Sequence, residues 1–462
     1  MSEHFDVVVI GAGQAGPALA ARCGREGLKT AIIERDQMGG TCVNNGCIPT
    51  KTLVASARVA ALARRAAEFG VMLDEPPRID MHAVKARKDA IVQASRTVVT
   101  NWMANAKMVS VIHGHARFTG AHQLEVAGRI LTAERIFINV GGQPTTPKLT
   151  GIEGVPFLNN VSMMDVDFVP AHLIVIGGSY IGLEFAQIYR RFGAQVTVCE
   201  MGSRLIGRED EDVSDEVRAI LEREGIVVRT GATCLSVERT GEGIAVGVAC
   251  DIGIPRMEGS HLLLATGRTP NTGELGLENV GVAIDARGFI VVNDQLETSA
   301  AGIYALGDVN GRGAFTHTSW NDYEIVAANL FDGDTRRVSD RIPAYALFTD
   351  PPLGRVGLSF NEARATGRPL LAAKMPMTRV GRARESGETQ GFMKVVVDAE
   401  TKRILGAALL GLSGDEVVQS ILEVMYADKP YTQINRGVHI HPTVTELVPT
   451  LLEGLKPIEK LA

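Results

Sequence analysis

The sequence has no long apolar run and no excess of basic residues. Since no 18 consecutive apolar residues occur, we expect no membrane span. The net charge of −6 and the pI of about 6.0 do not point to nucleic acid or to an anionic membrane as a partner. The N-terminus is polar, and the apolar run Val7–Ile10 is too short for a signal peptide, so we expect a cytoplasmic protein.

Cysteine is scarce: the 462 residues include six, and only Cys42 and Cys47 lie close together. Scattered cysteines in a reducing compartment do not indicate a structural disulfide framework, so a close pair indicates redox or metal chemistry. Zinc is disfavoured because no second CxxC and no paired Cys/His partner is evident. The other four fall in helical or apolar strand patterns and are predicted to be inert core residues: Cys23, Cys199, Cys234 and Cys250.

The close pair lies in the stretch GGTCVNNGCIPTK, residues 39–51, beside a proline and a predicted helix start. Two thiols at this spacing can form a small disulfide ring. A helix N-terminus stabilises a thiolate and so lowers the pKa of a thiol. The stretch therefore predicts a redox-active cysteine pair.

Glycine is abundant, with 50 residues, and two glycine-containing segments repeat each other. Residues 7–35 align without gaps to residues 173–201. Each segment reads as a β-branched strand, a glycine turn, an amphipathic helix, a glycine stop and a second strand. This pattern predicts two βαβ units and suggests two dinucleotide sites.

The first unit carries Gly11, Gly13 and Gly16 in a GxGxxG turn, and Glu34 ends its second strand. These glycines permit a tight turn, a close approach of pyrophosphate and close helix packing, while the carboxylate can bind ribose hydroxyls. The helix N-terminus adds amide donors for the pyrophosphate. We predict a dinucleotide site here.

The second unit carries the equivalent Gly177, Gly182 and Glu200, but Ser179 replaces the middle glycine. A serine is small enough for pyrophosphate to bind. Glu200 would repel a 2′-phosphate, which favours NADH over NADPH. Arg204 and Arg208 follow closely and could weaken this preference.

The remaining sequence predicts an α/β protein with two Rossmann-like dinucleotide-binding domains and a C-terminal α+β domain. Long helices are expected over 47–69 and 80–107, and the acidic run Glu209–Asp212 is expected to be the solvated start of a charged helix rather than a metal site. We predict FAD-binding segments at 1–147 and 271–340, an NAD(P)-binding domain at 148–270 and a dimerisation domain at 341–462.

Two His-x-His pairs allow a metal interpretation. Alternation along a strand would place His113 with His115, and His439 with His441, on one strand face. We disfavour metal binding at both pairs and predict no metal site.

The whole chain resembles the class I pyridine nucleotide-disulfide oxidoreductases, which include dihydrolipoamide dehydrogenase, glutathione reductase and mercuric reductase. The resemblance rests on GGTCVNNGCIPTK, the paired nucleotide motifs, ATGRTPN at 265–271, ALGDV at 305–309 and HPTVTE at 441–446, which also occur in the family's order.

The resemblance implies a homodimer in which the first unit binds FAD and the second binds NADH or NADPH. It implies that Cys47 faces the flavin, that Cys42 attacks the substrate and that Lys51 pairs with Glu184 near the flavin. It implies that His441, oriented by Glu446, serves as a base for the partner subunit's cysteines. Tyr180 would cover the flavin until the nicotinamide displaces it, with ordinary packing as the alternative. The further cofactor-binding residues that it implies are Gly40, Thr41, Lys51, Gly142, Asp308 and Gly267.

Within the family, the stretches at 42–57, 207–210, 315–323 and 348–357 look most like mercuric-reductase-like proteins, which include a bacterial copper(II) reductase. True mercuric reductases carry a C-terminal cysteine pair and a tyrosine at the position of His441, whereas this chain has no cysteine after Cys250. A soft Hg(II) ion needs such thiolates. We therefore predict a flavin-dependent oxidoreductase that reduces a small-molecule or protein disulfide, with reduction of Cu(II) or Hg(II) as the alternative and a non-catalytic redox sensor as the least favoured hypothesis.

Overall fold

The computed structural model describes residues 2–241, 243–249 and 256–460. The first part of the chain forms a sheet with helices packed beside it. Its elements, in chain order, are β1 (Ser2–Ile10), α1 (Ala15–Arg25), β2 (Thr30–Glu34), α2 (Gly40–Asn44), α3 (Cys47–Arg64), α4 (Met81–Ala104), β3 (Val109–His113), β4 (Ala116–Gly120), β5 (Gln123–Val126), β6 (Arg129–Ile138) and β7 (Gly142–Pro144).

The middle of the chain repeats this plan. Its elements are β8 (His172–Ile176), α5 (Tyr180–Phe192), β9 (Gln195–Cys199), α6 (Glu211–Arg223), β10 (Val227–Arg229), β11 (Thr233–Arg239), β12 (Ile244–Ala249), β13 (Arg256–Gly259), β14 (His261–Leu264), β15 (Arg268–Pro270), β16 (Ile303–Ala305) and α7 (Thr316–Phe331).

The C-terminal part is built from antiparallel strands and short helices. Its elements are β17 (Ala344–Leu347), β18 (Leu353–Gly357), α8 (Phe360–Ala365), β19 (Leu370–Pro376), α9 (Gly381–Glu385), β20 (Phe392–Asp398), β21 (Ile404–Leu410), α10 (Gly414–Tyr426), α11 (Thr432–Asn435), α12 (Val448–Glu453) and β22 (Lys456–Pro457).

The sheets confirm the predicted fold class. The first sheet has the order β3-β2-β1-β6-β5-β4, and β16 pairs in parallel with the C-terminal half of β6. The second has the order β10-β9-β8-β14, all parallel, beside the three antiparallel strands β11–β13. The third is an antiparallel sheet with the order β17-β18-β21-β20-β19-β22. Two Rossmann-like units and an α+β unit are therefore present.

The buried parts of the central parallel strands are apolar because helices and loops cover both faces. In β1, Val7 to Ile10 are at most 3% exposed, and in β8 the same holds for Leu173 to Ile176. Cys23 and Cys199 are buried core residues, as predicted. Cys250 and the side chain of Cys234 lie outside the part of the chain that the structure describes. Among the described residues, no helix is both long enough and apolar enough to span a bilayer.

The expectation of a solvated acidic run at the start of α6 is wrong for its first two residues, although Glu211 is exposed. Glu209 and Asp210 are 1% and 4% exposed. The buried Arg355 on β18 forms an ion pair with Glu209, and Lys394 Nζ on β20 lies 3.1 Å from Asp210 Oδ2. Because these cations are supplied by the C-terminal sheet, the local sequence gave no sign that the carboxylates are buried. The cluster joins the second unit to the third.

We expect Arg355→Met to destabilise the protein, by about 3–5 kcal/mol, because it leaves the Glu209 carboxylate buried without its cation. The measurement is urea unfolding of the purified protein, followed by circular dichroism. Arg256→Met is the matched control, because this arginine pairs with carboxylates more than half exposed and its loss should change stability by less than about 0.5 kcal/mol. Equal effects of the two variants would contradict the prediction.

Candidate active site

The first glycine turn is packed so closely that side chains are excluded. A Cβ on Gly11 would lie 2.4 Å from the Asn139 carbonyl oxygen, and one on Gly16 would lie 2.1 Å from the Gly11 carbonyl oxygen. The Glu34 carboxylate accepts a hydrogen bond of 2.8 Å from the Ala12 N–H. The turn therefore has the geometry that brings backbone amides to a pyrophosphate.

Asn139, at the end of β6, is a site residue that the sequence analysis missed. Its Oδ1 accepts from the Gly16 N–H at 3.1 Å, and its Nδ2 donates to the Leu306 carbonyl at 2.8 Å. The buried amide thus ties the start of α1 to the segment after β16. The only sequence signal was an asparagine within an otherwise apolar strand end.

A cavity extends from the carboxyl ends of β1 and β2 to the cysteine loop. Its lining includes Gly11, Gly13 and Glu34 of the first unit, together with Gly40 and Thr41 beside Cys42. A Cβ on Gly40 would lie 2.7 Å from the Gly13 Cα, so these glycines keep the cavity open. A cavity lined by a glycine turn and by the carboxylate at the end of β2 fits the adenosine and pyrophosphate parts of FAD.

The second unit repeats the first in detail. A Cβ on Gly177 would lie 2.3 Å from the Ala265 carbonyl oxygen, and one on Gly182 would lie 2.1 Å from the Gly177 carbonyl oxygen. Glu200 accepts from the Gly178 N–H at 2.6 Å, as Glu34 does from Ala12. Ser179 is exposed in extended backbone just before α5. The serine therefore fits the position of the middle glycine.

The two thiols are held by two consecutive helices. Cys42 lies in α2, and Cys47 is the first residue of the 18-residue α3. No disulfide joins them in this structure. A hydrogen bond donated by Cys42 lowers the pKa of Cys47 to about 6, with further stabilisation from the Thr316 hydroxyl, 3.2 Å from the sulfur, and from the charge of Lys51. The same hydrogen bond, together with burial, raises the pKa of Cys42.

Lys51 lies one helical turn after Cys47 and pairs with Glu184 on α5. Lys51 Nζ lies 2.8 Å from Glu184 Oε2 and 3.1 Å from Oε1, and the carboxylate is almost fully buried. Glu184 Oε1 also accepts from the Phe348 N–H at 3.1 Å, and the ammonium lies 4.5 Å from the centre of the Phe348 ring. The cation is thus fixed beside the thiol pair.

Arg268 connects several predicted site residues, although the sequence analysis noted its motif without selecting it. Its guanidinium donates to the Gly142 carbonyl and to Thr41 Oγ1 at 3.3 Å, and it lies 3.9 Å from Asp308 Oδ2. Burial raises the pKa of Asp308. Gly142 lies in β7, paired with β15, and Gly267 precedes β15 with φ +119°. The structure therefore brings together Thr41, Gly142 and Asp308.

His441 and Glu446 form a hydrogen-bonded pair at the other end of the chain. His441 Nδ1 lies 2.8 Å from Glu446 Oε2, and the imidazole is 80% exposed. Val438 and Ile440 in the same loop are also largely exposed. The described contacts of a single chain do not bring His441 to the cysteines.

The expected placement of the His-x-His pairs is wrong. His439 and His441 lie in a loop, and His439 Nδ1 is bonded to the Gly437 carbonyl rather than sharing a face with His441. His113 ends β3, whereas His115 follows it outside the strand. The described residues contain no cluster of three or more histidine, cysteine or acidic residues arranged to hold a metal ion.

Comparison with known proteins gives matches along nearly the whole chain. The profile of the pyridine nucleotide-disulphide oxidoreductases matches residues 5–322, and that of their dimerisation domain matches residues 343–452. The chain is 34% identical to the probable pyridine nucleotide-disulfide oxidoreductase RclA of Escherichia coli, over 98% of this chain and 99% of RclA. A solved structure of that protein, described as a Cu(II) complex of an HOCl-induced flavoprotein disulfide reductase, matches with a TM-score of 0.89 at 33% identity, over 98% of this chain and 99% of the other.

Two other relatives carry the names of defined enzymes. Dihydrolipoyl dehydrogenase of Thermus scotoductus is 33% identical over 99% of this chain and 98% of its own length. Mercuric reductase of Lysinibacillus sphaericus is 31% identical over 98% of this chain and 82% of its own length.

We expect the reactivity of Cys47 in the reduced protein to rise with pH through about 6. Its pKa lies below the ordinary thiol value of 9.0, so the reactive thiolate predominates above about pH 6 and the thiol below it. The rate of alkylation by iodoacetamide, followed by mass spectrometry of the Cys47 peptide, measures this pKa. Cys42→Ala should shift the midpoint upward because it removes the main hydrogen-bond donor.

Thr316→Val should produce a smaller upward shift than Cys42→Ala. Thr52→Val is the matched control, since the Thr52 hydroxyl bonds the Ile48 carbonyl within α3. A midpoint near 6 in Cys42→Ala would show that the hydrogen bond from Cys42 does not cause the low pKa.

Proposed function

The chain belongs to the pyridine nucleotide-disulphide oxidoreductase family, and we propose that it transfers electrons through Cys42 to a disulfide acceptor. It is an NAD(P)H-dependent flavin disulfide oxidoreductase with a dimerisation domain, as the sequence predicted. The observation that carries the choice of a disulfide is the hydrogen bond between His441 and Glu446, because thiol-disulfide exchange needs a base and acid beside the thiols.

Bound FAD would supply the hydride chemistry that carries the two electrons of the dihydronicotinamide to the Cys42–Cys47 disulfide. The S–S bond breaks. The two electrons and one proton convert Cys47 to a thiolate and Cys42 to a thiol. The low pKa of Cys47 and the raised pKa of Cys42 support this distribution of the proton. Because Cys42 holds its proton, it needs a base before it can attack.

We assign that base to His441 of the other subunit. It takes the Cys42 proton, and the Cys42 thiolate attacks one acceptor sulfur to form a mixed disulfide and a leaving thiolate. The imidazolium returns the proton to this thiolate. Cys47 then attacks the Cys42 sulfur, which releases the second acceptor thiolate and restores the disulfide. Glu446 holds the imidazole in position through Nδ1, leaving Nε2 to move the proton.

The remaining assignments follow the predicted roles. Lys51, fixed by Glu184, would favour electron-rich flavin, and Asp308 would hydrogen-bond the flavin's ribityl or pyrophosphate region. Tyr180 would cover the flavin until the nicotinamide arrives. The two glycine turns, with Gly40, Thr41, Gly142 and Gly267, would hold the dinucleotides.

We also propose the domain boundaries 1–147, 148–270, 271–340 and 341–462. The pairing of β16 with β6 supports a FAD-binding domain made of two segments, because the chain returns to the first sheet after the second unit. The antiparallel sheet that begins at β17 supports the last boundary. The dependence on nicotinamide and on a cycling thiol pair supports a cytoplasmic location.

We propose NADH as the preferred reductant. Glu200 directly follows β9, where a carboxylate can bind ribose hydroxyls and repel a 2′-phosphate, and the two arginines that could attract that phosphate have other partners. Arg204 Nη1 lies 3.2 Å from Glu211 Oε1, and Arg208 lies over the rings of Tyr180 and Tyr345 at 5.7 and 5.6 Å. A second phosphate would therefore meet a carboxylate without a compensating cation.

Copper(II) is the second candidate acceptor. The observation that favours it is the solved Cu(II) complex of the E. coli relative. The Cys47 thiolate and the Cys42 thiol would then give one electron to each of two Cu(II) ions, forming the disulfide, two Cu(I) ions and one proton. Mercury is less favoured because no cysteine follows Cys250 to pass the ion to the active site.

Glu200→Ala should increase the use of NADPH relative to NADH. Removing the like charge should change the ratio of the two kcat/KM values by about tenfold, equivalent to about 1.4 kcal/mol. The measurement is steady-state turnover with each reductant and one disulfide acceptor. Glu222→Ala, an exposed residue of the same domain paired with Arg218, should leave the ratio unchanged. An unchanged ratio in Glu200→Ala would disprove the assigned role.

His441→Ala should slow disulfide turnover about 100- to 10,000-fold, because the Cys42 proton loses its acceptor. Anaerobic reduction by NADH should still give the long-wavelength absorbance of a thiolate lying against flavin. Lipoamide, glutathione disulfide, Cu(II) and Hg(II) are then compared by turnover, with His439→Ala as the control in the same loop. Full activity of His441→Ala with every disulfide would refute the disulfide proposal. Absence of the absorbance band in both the unsubstituted protein and His441→Ala would refute the role of Cys47.

A further inference from the structure

Tyr180 rests in an aromatic pocket contributed by three distant segments. Its ring meets that of Tyr345 edge to face, with centroids 5.6 Å apart and an interplanar angle of 88°, and that of Phe315 at 6.2 Å and 84°. The Arg208 guanidinium lies over both tyrosine rings. We call Tyr345, Phe315 and Arg208 the aromatic seat.

Tyr345 is itself held by a hydrogen bond and by ring stacking. The Tyr345 hydroxyl donates to Glu209 Oε1 at 2.7 Å, and Glu209 is fixed by the buried Arg355. Phe315 stacks on Tyr345 at 5.7 Å and 12°. Burial raises the pKa of Tyr345, which keeps the donated proton in place. The buried ion cluster that joins the second and third units therefore also sets the position of Tyr345.

The seat adjoins the groups proposed to surround the flavin. Thr316, the neighbour of Phe315, lies 3.2 Å from the Cys47 sulfur. Tyr180 begins α5 directly after the second glycine turn, and Glu184 one turn later pairs with Lys51. Tyr180 therefore lies between the nucleotide turn and the thiol side of the site.

We propose that Tyr345 is a positioning residue that sets how readily Tyr180 leaves its resting place, and thereby how strongly a dihydronicotinamide binds. The proposal rests on the role given above to Tyr180 and extends it to a residue of the C-terminal unit. If the nicotinamide ring and the resting Tyr180 ring exclude each other, the apparent dissociation constant equals the intrinsic one divided by the fraction of protein with Tyr180 displaced. Contacts that hold Tyr180 in the seat lower that fraction.

The test uses the FAD-loaded protein and 1,4,5,6-tetrahydro-NADH, a reduced-nicotinamide analogue that cannot give up a hydride. Binding is followed anaerobically by the change in flavin absorbance. Tyr345→Leu removes one edge contact and one support of Arg208, so the analogue should bind about three- to tenfold more tightly. Tyr345→Phe keeps the ring but loses the bond to Glu209, and its effect should be smaller and in the same direction.

Binding of ADP-ribose distinguishes an effect on the position of Tyr180 from general damage to the nucleotide site. It fills the adenosine and pyrophosphate positions without a nicotinamide ring, so its dissociation constant, measured by calorimetry, should be unchanged in Tyr345→Leu. Tyr426→Leu is the matched control, because the Tyr426 hydroxyl bonds the Ile342 N–H next to β17 and its ring is not in the seat. Unchanged binding of the analogue, or equal changes in the dissociation constants of both ligands, would overturn the proposal. If Tyr345→Leu does not retain FAD, the same measurements are made on Tyr345→Phe.

Tyr180→Leu distinguishes failure of this inference from failure of the function proposed for Tyr180. Tighter binding of the analogue in Tyr180→Leu but not in Tyr345→Leu would refute the seat alone. No effect in Tyr180→Leu would refute the covering role of Tyr180 itself. In the double variant, replacing Tyr345 should add nothing to the effect of Tyr180→Leu, since the two rings act through one contact, and additive effects would overturn the proposal.

Discussion

The ion pair between Lys51 and Glu184 sets the relative position of the two helices on which the site depends. Helix α3 begins with Cys47, and α5 begins with Tyr180, directly after the second glycine turn. One turn into each helix, the ammonium and the carboxylate meet at 2.8 Å, with the carboxylate almost fully buried. A buried carboxylate requires its cation and its hydrogen-bond donors, which here come from Lys51 and the Phe348 N–H. The first, second and third units therefore meet at one charged pair.

Buried carboxylates are also paired with cations where the second unit meets the C-terminal sheet. Glu209 and Asp210 are buried beside Arg355 and Lys394 of the C-terminal sheet, which neutralise them. Glu209 also holds the Tyr345 hydroxyl, so this cluster reaches the aromatic pocket around Tyr180. Groups that stabilise the contact between units thereby lie next to Tyr180, the residue that the nicotinamide is proposed to displace. We regard this overlap as the reason why Tyr345, on a strand of the third unit, can influence the binding of a dihydronicotinamide to the second unit.

The electrostatics of the thiol pair result from short-range contacts. Cys47 gains a hydrogen bond from Cys42, a nearby hydroxyl from Thr316 and the field of Lys51, and these together outweigh its partial burial. Cys42 experiences the opposite effect, because donating that hydrogen bond favours its protonated form. Two chemically identical side chains thus acquire different protonation states. This difference agrees with separate roles for the flavin-facing and substrate-facing thiols.

The sequence alone determined the features that depend on neighbouring residues: the two βαβ units, the glycine turns with Glu34 and Glu200, and the cysteine pair at a helix start. Local spacing specifies such features because backbone conformation and helix starts are set within a few residues. Only the tertiary structure decided which distant groups meet. It placed Asn139 against Gly16 because the parallel strands β1 and β6 end at the same edge of a sheet, it buried Glu209 and Asp210 beside cations from another sheet, and it brought Tyr345 to Tyr180. These pairings depend on how whole units pack together, and residues more than a hundred positions apart carry no local pattern that records it.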